Sequence, residues 1–207
     1  MGTAAEGPSR DAGAQGALGA ELPSGGRLAS DQVTIAPLGA ADWPSVARIF
    51  DAGIAGGDAT FEAGAPTWEE WSRKRERYPA VLARDPRGDV LGWAALSPTS
   101  PRPVYRGVGA VSIYVDPQIA RRGVGRVLLG ALIEASERAG FWTLEAGIFP
   151  ENAASIALHE SLGFELVGVR RRVGQMPDGR WRDVRLYERR SPTVGVGGTD
   201  PHAEPEE

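Results

Sequence analysis

The chain has 207 residues, a formal net charge of −4, no cysteine and only two histidines, His159 and His202. That length suits one domain with tails, no apolar run approaches the ~18–20 residues of a membrane span, and the N-terminus lacks the charged-then-apolar order of a secretory leader. Without cysteine there is no disulfide, thiolate nucleophile or thiolate-held metal, which is consistent with a cytoplasmic protein, and the acidic balance argues against generic nucleic-acid binding.

Residues 1–30 are rich in Gly, Ala and Ser and poor in large apolar groups, so they are expected to form a disordered extension. Residues 191–207, with three prolines and an acidic end, are expected to be a disordered tail, leaving 31–190 as the folded unit. Val33-Thr34-Ile35 reads as a first strand. Asp42 is placed to cap a helix with Pro44 in its first turn and Val46, Ile49, Phe50 and Ile54 at helical spacing. Thr67 and Glu70 form a capping box for a second helix through Trp71 to Tyr78, stopped by Pro79. Two apolar runs, Val81-Leu82-Ala83 and Val90 to Ala94, flank Asp85-Pro86-Arg87-Gly88-Asp89, which has hairpin-turn chemistry. Val108 to Val115 is the next strand, and Leu128, Leu129, Leu132 and Ile133 mark the buried face of a long helix closed by Gly140. A strand near Trp142–Ile148, a short helix Ala153–Leu162 and two strands around Pro177-Asp178-Gly179 complete the chain. The order β-α-α-β-β-β-α-β-α-β-β predicts a mixed α/β sheet, not a regularly alternating doubly wound one.

The densest chemistry lies where the strand meets the long helix, at Arg121-Arg122-Gly123-Val124-Gly125. Glycines that let backbone N–H groups approach a ligand, arginines, and a helix N-terminus suit a phosphate or pyrophosphate. The same five residues suit an ordinary tight turn equally well. They form neither a dinucleotide fingerprint, since Leu128 occupies the third glycine position, nor a P-loop, since no Gly-Lys-Ser/Thr follows.

Other motifs resolve the ambiguity. Thr60-Phe61-Glu62, Ser112-Ile113-Tyr114-Val115, Arg122-Gly123-Val124-Gly125, Asn152 with Ala154 to Phe164 (including Leu158-His159-Glu160), and Gly179-Arg180-Trp181-Arg182-Asp183 occur together and in order. On these residues the folded region resembles the GNAT N-acetyltransferase superfamily and, within it, the phosphinothricin and related amino-acid N-acetyltransferases. The resemblance implies the GNAT fold and direct acetyl transfer from acetyl-CoA to a small-molecule amine, with no metal. It also implies a resistance role and, as is common among relatives, a homodimer.

The resemblance also implies roles for residues. The backbone of Ile113, Tyr114 and Val115 would hold the pantetheine chain, with an N–H near Tyr114 polarising the thioester carbonyl. Arg121, Arg122, Gly123, Val124, Gly125 and Arg126 would wrap the pyrophosphate. Asn152 would cap its helix and contact the cofactor arm, beside Ser155. His159 stands where many relatives carry Tyr, and would protonate the departing thiolate. The usual general base is a Glu two residues before Ser112; here that position is Ala110. An α-amine with a pKa of about 8 is already roughly one-tenth neutral at pH 7. Water, His159, Glu145 on the next strand or Glu62 then become candidate proton acceptors. Tyr105 and Trp181 are candidate walls of the acceptor pocket, with Glu62, and Arg106 a candidate partner for a substrate carboxylate. The missing base keeps open a non-catalytic acyl-CoA-binding module, and the acceptor could instead be a protein N-terminus or an antibiotic amine.

Overall fold

A computed structural model describes residues 32–73 and 75–197. The expected N-terminal extension, the tail beyond 197 and His202 lie outside the described residues. Seven strands form one sheet in the order β1-β2-β3-β4-β5-β7-β6: β1 (Thr34–Pro37), β2 (Ala80–Arg84), β3 (Val90–Pro98), β4 (Val108–Val115), β5 (Thr143–Ile148), β6 (Glu165–Gln175) and β7 (Trp181–Arg190). Every pair is antiparallel except β4–β5, because the helix α3 (Val124–Arg138) carries the chain across before β5 begins.

The element order is the one read from the sequence, and alternation along the strands explains the layering. Val111, Ile113 and Val115 of β4 and Leu144, Ala146 and Ile148 of β5 face α3, packing with Leu128, Leu129 and Leu132. Tyr114 points to the opposite face, toward α1 (Trp43–Ala55) and α2 (Trp68–Arg73). There Val46 and Ile49 are fully buried and Trp43, Trp71 and Trp93 pack ring against ring. The N-cap of α4 (Ala153–Glu160) is Asn152.

Three local expectations are corrected. Asp42 does not cap α1: it is itself helical, at the end of a 3₁₀ turn, and its carboxylate accepts from Gly39 N–H and pairs with Arg84. The capping box of α2 forms as read, with reciprocal Thr67–Glu70 bonds of 3.0 and 3.2 Å. That helix nevertheless ends at Arg73 rather than Tyr78. The Arg75 side chain takes the Trp71 carbonyl, while its own N–H bonds Ser72, and Pro79 excludes helical backbone at Tyr78. At the other end, the chain beyond Arg190 keeps hydrogen bonds to the fold: Ser191 is buried with its N–H on the Trp142 carbonyl, and Arg190 bonds the Gly195 carbonyl.

Candidate active site

The parallel pair β4–β5 lasts only three steps. It ends at Ala110↔Glu145, while β3 follows β4 to Val115 and β7 follows β5 to Ile148. The two central strands therefore part in mid-sheet, each still supported on its outer side. A cavity of about 410 Å³ occupies the gap. Val111 to Tyr114 and Ala146 to Phe149 line its two edges, Asn152, Ser155 and His159 one end, and Asp58 to Phe61, Arg170, Val173, Gly174 and Val184 the remaining wall. Strand-edge N–H and C=O groups without a strand partner suit an extended, amide-bearing chain.

The segment after β4 suits that chain's anionic end. Arg121 and Gly123 have φ of 66° and 89°, a left-handed pair that turns backbone N–H groups outward at the start of α3. The first N–H groups of the helix have no intrahelical acceptor. Arg122 Nη1 is buried without a hydrogen-bond partner, a donor waiting for an acceptor. The neighbours are committed elsewhere. The Val124 side chain is buried in the core, so only its backbone faces outward. Arg126 donates to the Ser161 carbonyl and hydroxyl at 3.3 and 2.8 Å, bracing α3 against the end of α4.

Asn152 serves as a cap and a tie at the cavity's end. Its Oδ1 accepts from Ser155 N–H at 3.0 Å and its Nδ2 donates to the Asp58 carbonyl at 3.0 Å. One turn beyond Ser155, His159 is only 2 % exposed, edge-on to Phe164 and lining the cavity. Its Nδ1 lies 2.8 Å from the Ser155 carbonyl, which can only accept, so Nδ1 carries the proton. Nε2 is then a bare lone pair, buried and without a partner. Burial lowers the imidazole pKa below its usual 6.5, partly opposed by the Ser155 bond, so the ring is neutral at pH 7. A neutral imidazole of this tautomer can accept a proton at Nε2 and can donate one there only after it has done so.

Tyr114 contributes its backbone to the cavity edge, since its ring is stacked on Trp93 (4.9 Å, 20°) and edge-on to Phe50. Burial pushes its pKa up to about 12, with Thr60 opposing and Glu62 adding to the rise, so it stays a neutral phenol. Glu62 is exposed and does not line the cavity.

The facing wall depends on Arg182, a member of the Gly-Arg-Trp-Arg-Asp motif to which the sequence reading gave no job. Its side chain is 8 % exposed and donates to the Asp58 and Glu151 carboxylates at 2.9 and 2.8 Å and to the Gly57 carbonyl at 3.1 Å. The guanidinium also lies 4.1 Å from the Phe149 ring centre. The Arg182 bond holds the Glu151 carboxyl below its ordinary range. The α1–α2 loop is thus bound to the β5–α4 loop, and Phe61 closes over the gap, edge-on to Phe149 at 4.8 Å. Phe61 sits so close to β6 that a Cβ on Gly174 would come within 2.5 Å of its ring.

Other expected residues fall outside the cavity. Glu145 lies on the same sheet face as Ala110 and beside it, at the last pair before the strands part; it is half-buried, its carboxylate has no partner among the described residues, and it does not line the cavity. Tyr105 and Arg106 precede β4, at the end away from the gap, with Arg106 over Trp142. Trp181 is exposed at the start of β7, opposite Gln175. None of these three lines the cavity; the parting opens at the far ends of the parallel strands, a register that sequence alone did not reveal.

A parted central strand pair followed by a glycine–arginine helix start marks a fold seen before. Residues 44–164 match the profile of the acetyltransferase (GNAT) family. The chain belongs to the GNAT family. It is 36 % identical over 161 residues to the L-methionine sulfoximine/L-methionine sulfone acetyltransferase of Pseudomonas aeruginosa, covering 75 % of this chain and 92 % of that one. Phosphinothricin N-acetyltransferase of Streptomyces viridochromogenes is 32 % identical over 161 residues, covering 76 % and 87 %. Among solved structures, a GNAT superfamily phosphinothricin acetyltransferase of Sinorhizobium meliloti in complex with acetyl-CoA superposes with a TM-score of 0.73 at 32 % identity, over 84 % of this chain and 96 % of that one. This GNAT protein is an acetyl-CoA-dependent N-acetyltransferase that acts on a small amine. No helix among the described residues is long and apolar enough to cross a membrane.

Proposed function

We propose that the acceptor is a small amino acid or analogue, of the methionine sulfoximine, methionine sulfone or phosphinothricin kind, and that His159 moves the proton. The relatives' substrates support the acceptor class. The observation that carries the mechanism is the His159 imidazole, which lines the gap between β4 and β5 and whose buried Nε2 has no hydrogen-bond partner among the described residues.

Acetyl-CoA, when bound, supplies the thioester. The free edge of Val111 to Tyr114 would hold its amide-bearing arm and orient the carbonyl; Arg122 Nη1 and the N–H groups at Gly123 and Val124 would hold its phosphates. His159 Nε2 accepts the proton that the amine gives up as the amide bond forms. It returns that proton to the sulfur as the C–S bond breaks. One nitrogen thus serves both steps and ends unchanged, and no carboxylate at position 110 is required. The neutral imidazole is already in its proton-accepting form in the resting site.

The direct test combines the purified protein, acetyl-CoA and a panel of amino acids, followed by thiol release and by mass spectrometry of the acetylated product. Acetylation of L-methionine sulfone, L-methionine sulfoximine or phosphinothricin supports the reading. Tight acetyl-CoA binding with no acetylation of any amino acid would overturn it.

A further inference from the structure

Arginine is abundant on this chain, and several arginines are already engaged within the fold. Arg182 holds two carboxylates, Arg126 holds Ser161, Arg189 holds Glu137 and Arg190 holds backbone carbonyls. Arg170 is different. It is the one arginine or lysine lining the cavity, and its guanidinium has no hydrogen-bond or ion-pair partner among the described residues.

Its position is built by an irregularity in the last hairpin. Arg170 pairs with Val184 and Gly174 with Arg182, so Arg171, Arg172 and Val173 of β6 oppose Asp183 alone. The Asp183 carboxylate accepts the Arg172 N–H at 2.8 Å, and Arg172 sits at φ 47°, where a side chain is disfavoured. Bulges of this kind bend a strand and re-aim its side chains, often beside active sites. Here the bulged stretch is bracketed by cavity-lining residues, Arg170 on one side and Val173 with Gly174 on the other. Arg170 also shares its sheet face with Val184, and Val184 closes over Gly147. That is the face of Tyr114, opposite α3. β6 lies beyond β7 and β5 from β4, so this cation stands across the gap from the phosphate-suited start of α3.

We propose that Arg170 is a specificity-determining residue that binds the carboxylate of the acceptor, placing its amine toward His159. The inference rests on the reading of an amino-acid acceptor and adds to it the group by which the acid is selected. A guanidinium presents paired N–H donors that match a carboxylate, and the neutral imidazole and the Arg182-bound Asp58 offer that anion no rival cation.

The test compares L-methionine sulfone with its primary amide, which keeps shape and amine but loses the negative charge. The wild type is expected to favour the acid in kcat/KM. Arg170→Leu and Arg170→Gln are expected to lower kcat/KM for the acid by about 10- to 100-fold, largely through KM, as befits loss of a charged hydrogen bond. The preference for acid over amide then collapses toward unity, and calorimetric binding of L-methionine sulfone weakens in parallel, while acetyl-CoA affinity holds. Arg170→Lys is expected to retain part of the preference. Equal losses on acid and amide, no loss on either, or a loss of acetyl-CoA affinity would overturn the assignment of Arg170 and leave the acetyltransferase reading standing. A wild type inactive on the acid and the amide alike would overturn that reading and this inference with it.

Discussion

On the β4–α3 side of the cavity the groups offered to a ligand are backbone N–H and C=O groups, fixed by strand pairing and by the left-handed residues Arg121 and Gly123. On the opposite wall they are side chains, held by contacts between residues far apart in sequence: Arg182 to Asp58 across 124 positions and Asn152 to Asp58 across 94. The backbone side is specified locally and needs few neighbours to be right. The side-chain wall is specified by tertiary contacts, so it can change its ligand without disturbing the first side. Substitutions on the two sides should therefore separate acceptor kinetics from acetyl-CoA binding.

The largest effect belongs to His159, which stands where the two sides meet. His159→Gln is expected to lower kcat by about 10²–10⁴-fold, the usual range for losing a positioned acid–base group, with acetyl-CoA affinity retained. Glu145→Gln, in the same steady-state assay, is expected to cost only a few-fold, because Glu145 does not line the cavity. A reversed order of the two losses would move the proton-accepting role to the carboxylate beside Ala110.

Arg182→Ala tests the wall. Its carboxylate partners are more than half exposed, with side chains at 51 % and 59 %, so screening keeps each ion pair at or below about 1 kcal/mol. With the Gly57 carbonyl bond and the Phe149 contact added, a loss of about 2 kcal/mol follows, or roughly 4–8 °C in melting temperature. The functional signature is a KM for the acceptor raised about tenfold with the acetyl-CoA dissociation constant little changed, because the loop carrying Phe61 loses its anchor. Gly123→Ala is the mirror-image experiment. Left-handed backbone costs a side-chain-bearing residue roughly 1–2 kcal/mol; a free loop that relaxes to escape this cost must recover the conformation to bind, so calorimetry should show acetyl-CoA binding weakened by up to about 5- to 30-fold with acceptor KM little affected. If either variant moves both readouts together, the two sides are not independent.

The same division explains what was legible in the sequence. The element order and the β4 boundaries follow from periodicity and turn chemistry, which act over a few residues. Asn152 as a cap was readable for that reason. Arg170 was not, because its aim depends on a bulge set by Asp183, eleven positions from the Arg172 N–H it holds. That Tyr105 and Arg106 lie away from the gap was not readable either, because the sequence does not reveal at which end two parallel strands part. The place of Glu145 beside Ala110 depends on the register of two strands that a whole helix separates, which periodicity does not set.

The smallest effect is a pH dependence that bears on the seam between the two sides. The folded state lowers the His159 pKa, chiefly by burial, while the unfolded chain returns it to 6.5. Between those values the unfolded state binds the extra proton, so stability rises with pH there and falls as pH drops below 6.5, by at most about 1.4 kcal/mol per pH unit. Ordinary carboxylates do not titrate in this window. Glu151, held low by Arg182, contributes its stabilisation above its unfolded pKa and loses it only at lower pH. The melting temperature of the wild type should therefore decline by a few degrees between about pH 7.5 and about pH 5.5, and His159→Gln, which keeps His202, should flatten that decline. An undiminished slope in the variant would mean that His159 is solvated or charged in the folded protein, and the bare Nε2 on which the proton transfer rests would be lost with it.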